Sequence, residues 1–228
     1  MGTIKARYDG HSDWYDAFCG QHAPRNAADL AALLGPGDGL CLDLGCGTGF
    51  YLDTIRGTGR TVVGLDRSSD QLRVARTRAS SPLLQGDGAA LPFAPGAFST
   101  VTTIYISTDV DDFGAVLGEA ARVLRPGGLF VFYGVHPCFN GPHTQLREDG
   151  GVIANPTYRI AGWHTRSPWW NVMRVRDRVG MRHHPLAELL TAFIVSGLAI
   201  ERVAEPGDRP VPNTLAIVAR KPQVSACR

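Results

Sequence analysis

The chain has 228 residues, a formal net charge of +2 and 44% hydrophobic residues. That suits one globular domain burying about 70–75% of its unfolded surface without disulfide or metal staples. Lys5 and Lys221 are its only lysines and the charges nearly balance, which argues against a nucleic-acid binder working through global charge. The five cysteines are scattered with no C-x-x-C pair, against a disulfide framework or a zinc site. No apolar run approaches about 18 residues and the start lacks a signal-peptide core, so a soluble cytoplasmic protein without metal is expected.

In chain order, Tyr8, Trp14, Tyr15 and Phe18 have helix-compatible spacing, and Asn26 to Leu34 continues as an amphipathic helix stopped by Gly35-Pro36-Gly37. An apolar run from Gly39 to Leu44 enters Gly45-Cys46-Gly47-Thr48-Gly49, and helical spacing resumes at Phe50. This reads as strand, tight turn and helix. Glycines admit positive φ and close approach of a ligand to the main chain, and the helix start offers unpaired N–H groups to an anionic group. A dinucleotide fingerprint wants its third glycine one residue later, where Phe50 stands, which weakens a pyrophosphate reading and with it an NAD enzyme. Asp43, before the turn, would repel phosphate; it suits loop organisation or a cationic ligand.

The segment Asp43-Leu44-Gly45-Cys46-Gly47-Thr48-Gly49 resembles the first motif of class I S-adenosylmethionine (SAM)-dependent methyltransferases. Residues 39 to 135 resemble the ubiquinone/menaquinone-type methyltransferase domain. The resemblance implies that Asp43, Gly45, Cys46, Gly47, Thr48 and Gly49 hold the amino-acid end of SAM. It also implies that the N-terminal helices cap the cofactor, with an aromatic facing the active site; Tyr15 is the candidate, and packing on the sheet is the alternative.

Arg60 to Asp66 is a second apolar run closing on a carboxylate. An acid there, roughly 20 residues past the turn, can accept from both ribose hydroxyls. By resemblance Arg67 covers the adenine. Ser68 and Asp70 are candidate caps for a helix from Ser69 to Ala79, whose arginines read as solvated. Gly86-Asp87-Gly88 resembles the family segment whose aspartate and following N–H, here Asp87 and Gly88, read the adenine. Phe98 to Ile106 alternates as a fourth strand and runs into Tyr105-Ile106-Ser107-Thr108-Asp109. There the family often carries histidines near the methyl-transfer point and this chain does not; Tyr105 is counted with the cofactor residues. Asp111 and Asp112 start a helix that ends at Arg125-Pro126-Gly127-Gly128, before a fifth strand from Leu129 to Tyr133.

His136 follows that strand, where a general base would be useful in an open α/β sheet; pinning of the loop is the alternative. Residues 139 to 184 exceed a plain link and read as a lid or substrate wall. Trp163, Trp169 and Trp170 offer flat apolar area for an aromatic substrate or plug the insertion onto the sheet. Val172 to Val179 alternates, placing Arg174, Arg176 and Arg178 on one strand face, either solvated or facing a substrate carboxylate or phosphate. His183 is a substrate-side candidate at the entry to a helix from Leu186 to Ser196, which ends at Gly197. Leu198 to Ala204 and Asn213 to Arg220 fit a closing hairpin.

The expected fold is α/β: a Rossmann-like seven-stranded sheet, mostly parallel with an antiparallel C-terminal hairpin and helices on both faces. One domain spans 1–222: cap helices 1–38, SAM-binding core 39–135, lid insertion 136–184, helix and hairpin 185–222, then a tail 223–228. The resemblance implies transfer of the SAM methyl group, with S-adenosylhomocysteine as product, to a small organic acceptor, aromatic or a secondary metabolite. It implies no nucleic-acid or membrane partner, in a monomer or homodimer. An RNA methyltransferase and a SAM-fold protein that binds or rearranges without methylating are the competing readings.

Overall fold

The computed structural model describes residues 6–21, 23–78, 80–170 and 175–223. Helices α1 (Ser12–Cys19) and α2 (Ala23–Leu34) precede β1 (Leu40–Leu44), α3 (Leu52–Gly57), β2 (Thr61–Asp66), α4 (Ser69–Ala75), β3 (Leu83–Gln85) and β4 (Phe98–Ile104). Next come α5 (Phe113–Val123) and β5 (Leu124–Val135). The insertion carries β6 (Thr144–Leu146), β7 (Val152–Ala154), β8 (Gly162–His164), α6 (Arg176–Val179) and β9 (Met181–His183). The chain closes with α7 (Leu186–Val195), β10 (Ala199–Ala204) and β11 (Thr214–Arg220).

Seven strands form one sheet in the order β10-β11-β5-β4-β1-β2-β3. The pairs among β1 to β5 are parallel, and β11 runs antiparallel to both β5 and β10. Alternation along the central strands feeds two cores. Leu42 and Leu44 join Phe130 and Phe132 under α5 and α7, where Phe113 and Phe193 pack. Cys41 and Val131 face the other way, against Leu30 and Leu34 of α2 and Leu52 and Ile55 of α3. A parallel sheet covered on both faces exposes its ligand-binding loops at the carboxyl ends of its strands.

Local chemistry explains most element boundaries. Ser68 caps α4 by accepting from the Gln71 N–H, and Asp112 caps α5 through the Ala115 N–H. Asp70 caps nothing; its carboxylate takes the Gly10 N–H and Arg73. The expected helix to Ala79 ends at Ala75, Ala79 itself lying outside the described residues. The alternating stretch read as a strand over 172–179 is a short helix from Arg176, because the Val179 and Gly180 N–H groups close back on Val175 and Arg176. Arg174 lies outside the described residues. The insertion is built on two small antiparallel pairs, β6 with β7 and β8 with β9.

Candidate active site

The sheet order reverses between β4 and β1, so the crevice for a ligand opens above these two strands. Gly45, Gly47 and Gly49 have φ of 78°, 55° and 82°, which L side chains rarely adopt. At Gly45 a Cβ would stand 2.2 Å from the Ile106 Cγ2. The N–H groups of Gly45 and Cys46 both donate to the Leu65 carbonyl, at 2.7 and 3.0 Å, and that of Gly47 donates to Asp66 Oδ2 at 2.9 Å. With those donors spent inside the fold, the turn is no phosphate cradle, in agreement with its glycine spacing.

Asp66 ties two loops together, since Oδ1 also accepts from the Ser68 N–H at 2.8 Å. Burial pushes its carboxyl above the ordinary range. Asp43 is deeper, 1% exposed, and accepts from Thr102 Oγ1 at 2.8 Å; burial raises its pKa to about 7. The Cys46 side chain turns into the core over Gly64, where a Cβ would come within 2.9 Å of its Sγ, so only its backbone belongs to the turn. Thr48 Oγ1 and Gln71 Oε1 are buried polar atoms with no partner, and Gln71 Oε1 lies 3.6 Å from the Cβ position of Gly47.

Beyond β2, Arg67 is exposed with its guanidinium 4.0 Å from Asp87, and Asp87 accepts from the Ala89 N–H at 2.9 Å. Gly88 lies between these acceptor and donor groups. Tyr105 has φ 59°, unique to it among the described non-glycine residues. An aromatic residue in the left-handed region is a strained position of the kind that clusters at functional sites. Its N–H donates to the Tyr133 carbonyl at 2.7 Å and its hydroxyl meets Thr214 Oγ1 at 3.3 Å.

In α1, Tyr15 stands edge-on to Tyr8, ring centroids 4.8 Å apart. Tyr8 donates its hydroxyl to Asp109 Oδ2 at 3.2 Å, and Arg176 binds Asp109 Oδ1 at 2.6 Å and Thr108 Oγ1 at 2.8 Å. Arg176 is thus neither solvated nor free for a substrate anion: it is 8% exposed and joins the insertion to the end of β4. Trp163 lies under Arg7, whose guanidinium is 3.6 Å from the ring centroid. Trp170 donates Nε1–H to the Gly141 carbonyl at 3.3 Å, and Trp169 donates its N–H to Ser167 Oγ. Both keep part of their surface open.

His136 has no free lone pair. Its Nδ1 accepts from the Cys138 N–H at 3.2 Å, which puts the proton on Nε2, facing Glu205 Oε1 at 2.9 Å. The histidine is 3% exposed and pins the loop after β5; the general-base role expected of it has no nitrogen to work with. His183 is different. Its Nε2 faces the Tyr158 carbonyl at 2.7 Å and so carries the proton, its Nδ1 turns toward Gly141, 3.4 Å from the Cβ position there, and burial lowers its pKa to about 4. His183 lines a cavity of about 10 Å³ with Ser107, Thr108 and Val135, at the ends of β4 and β5.

The fold is Rossmann-like, with its ligand crevice at the switch between β1 and β4. Residues 42–132 match the family model described as a methyltransferase domain. A demethylmenaquinone methyltransferase of Lactococcus lactis subsp. lactis is 40% identical over 114 residues, covering 46% of this chain and 43% of the relative. A fatty-acid O-methyltransferase of Mycolicibacterium smegmatis is 37% identical over 109 residues, covering 46% and 40%. The chain thus spans less than half the length of these curated relatives. Over most of the fold it is similar to the crystal structure of a SAM-dependent methyltransferase from Mesorhizobium loti, with TM-score 0.70, 26% identity, and coverage of 85% of this chain and 96% of that one. Residues 42–132 thus match a methyltransferase domain, within a fold similar to that of a SAM-dependent methyltransferase.

Proposed function

We propose that the chain is an enzyme that binds SAM above β1, β2 and β4 and transfers its methyl group to an oxygen, nitrogen or carbon of a small organic acceptor. The observation that carries this reading is the glycine turn locked to Asp66, with the unpartnered Thr48 Oγ1 and Gln71 Oε1 beside it. A polar ligand without phosphates fits such a turn. Asp43, Gly45, Gly47, Thr48, Gly49 and the Cys46 backbone surround its amino-acid end, and Tyr105 closes that end from β4. Asp66 keeps lone pairs for the ribose hydroxyls, and Arg67, Asp87 and Gly88 frame the adenine.

When bound, SAM supplies an electrophilic methyl group on sulfur. The protein's part is to hold a nucleophile in line with it and to exclude water. Tyr15, Trp169, Trp170 and His183 wall the acceptor side. With a pKa near 4, the His183 imidazole is a neutral part of that wall and not a proton sink. The same reading takes 1–222 as one domain, acting in the cytoplasm as a monomer or homodimer with no nucleic-acid partner. Support for this comes from the near-neutral charge, the unpaired Cys19, Cys41, Cys46 and Cys138, and the fact that no described helix is long and apolar enough to cross a membrane.

The test is calorimetric titration with S-adenosylhomocysteine beside NADH, with a mass spectrum of the protein as purified. Binding of the homocysteine nucleoside and not of NADH is expected; the reverse, or neither, overturns the assignment.

A further inference from the structure

We infer that α1 with the segment before it is a cover over the cofactor crevice held shut mainly by charge, so that ionic strength sets how fast ligands enter and leave. In α1 only Ser12 is buried, whereas α5 buries six residues. The grip comes from polar contacts to both sides of the crevice. Toward α4 and the turn after it, Asp13 pairs with Arg73 and Asp16 with Arg78, each at 2.6 Å. Just before α1, Ser68 Oγ donates to Asp9 and the Gly10 N–H donates to Asp70, across the turn that follows the ribose carboxylate Asp66. Toward the insertion, Arg178 stacks on Trp14 at 4.0 Å and Arg7 stacks on Trp163, and Tyr8 bonds Asp109 in the loop after β4.

The helical period sorts these contacts. Asp13 and Asp16, three apart, turn one face to α4. Trp14 and Phe18, four apart and stacked at 5.7 Å, form the second patch, which Arg178 covers. One helix therefore shuts the nucleotide side and the acceptor side together. Segments held by exposed polar contacts and little apolar burial open at low cost. Asp13 and Arg73 are 78% and 52% exposed and Asp16 and Arg78 are 22% and 29% exposed, within reach of screening by salt.

The inference rests on the crevice being the SAM site, and its test separates the two. Amide hydrogen exchange is followed on the full, ligand-free chain at about 10 mM and about 1 M KCl, where the screening length falls from about 30 Å to about 3 Å. Residues 12–19 should exchange about fivefold faster at high salt, and D13N/D16N should exchange that fast already at low salt. The amides of α5 should stay protected throughout, which shows that the variant is folded. Stopped-flow release of S-adenosylhomocysteine should accelerate in parallel. Exchange of α1 that ignores both salt and the double substitution overturns the cover. Failure of the nucleoside to bind while α1 exchange still follows salt overturns the cofactor reading alone.

Discussion

The stretch from β1 to β5 and the insertion that follows it are held together differently. In the first, each functional group is fixed by a partner set by strand register. Asp43 sits on β1 beside Thr102 of β4, and Asp66 ends β2 where the Gly47 N–H reaches it. In the insertion, the fixed points are side chains far apart in sequence: Arg176 on Asp109, Trp170 on Gly141, His183 on the Tyr158 carbonyl. Register and glycine φ fix the first region through its backbone, whereas the insertion depends on side-chain struts. Residues 42–132 match the family model, and the insertion lies outside that match.

Asp109→Ala tests the strut side and should have the largest effect. It leaves the Arg176 guanidinium buried without its carboxylate, at a cost of about 3–5 kcal/mol, read as loss of the insertion's exchange protection and a lower unfolding midpoint. Replacing the pair together, Asp109→Leu with Arg176→Met, should recover most of that loss; no recovery would mean that the charges do more than hold the insertion. Gly45→Ala tests the register side. Strain at φ 78° and the contact with Ile106 should cost about 2–4 kcal/mol and abolish S-adenosylhomocysteine binding. Unaltered binding would remove the turn from the site.

The same contrast decides what could be read from the chain before its fold was known. Glycines at alternate positions admit positive φ, and a carboxylate closing an apolar run marks a strand end, so the turn and the end of β2 at Asp66 were legible from the residues, whereas the reading of Asp87 came from the resemblance alone. Ser68 and Asp112 as caps were legible for the same local reason. His136 was not: its position after β5 suggested a base, but Glu205, 69 residues away, and the Cys138 N–H engage both nitrogens. Nor was Arg176, whose alternation with Arg174 and Arg178 looked like a strand face; its partner Asp109 lies 67 residues earlier, and no local period reports such a pairing. Asp109 itself stood in plain view where the resembled family often has histidine, without a sign that it anchors the insertion.

Asp66→Ala should weaken S-adenosylhomocysteine by about 1–3 kcal/mol, since the Gly47 and Ser68 N–H groups and the ribose hydroxyls lose their acceptor together. Calorimetry at fixed pH checks it, and unchanged affinity would detach Asp66 from the ribose.

At Asp43 the expected effect is one of sign with pH. Burial holds its carboxyl near pH 7, above its ordinary value of 3.8, so between these values the folded chain binds the proton that the unfolded chain has lost. Its contribution to stability is fully present below about pH 4 and disappears as pH rises through about 7. His183 acts oppositely: with its pKa lowered from 6.5 to about 4, it costs stability at acid pH and nothing above 6.5. Net stability thus hides both, and the comparison must be between variants. Asp43→Asn keeps an acceptor for Thr102 and does not titrate. Its stability relative to the parent should rise steadily from pH 4 to pH 8 in urea titrations without ligand, while its affinity for SAM, whose ammonium it can no longer pair, should fall. A difference flat with pH would mean that the Asp43 carboxyl ionises in the fold as it does in the open chain, and that burial on β1 does not set its charge.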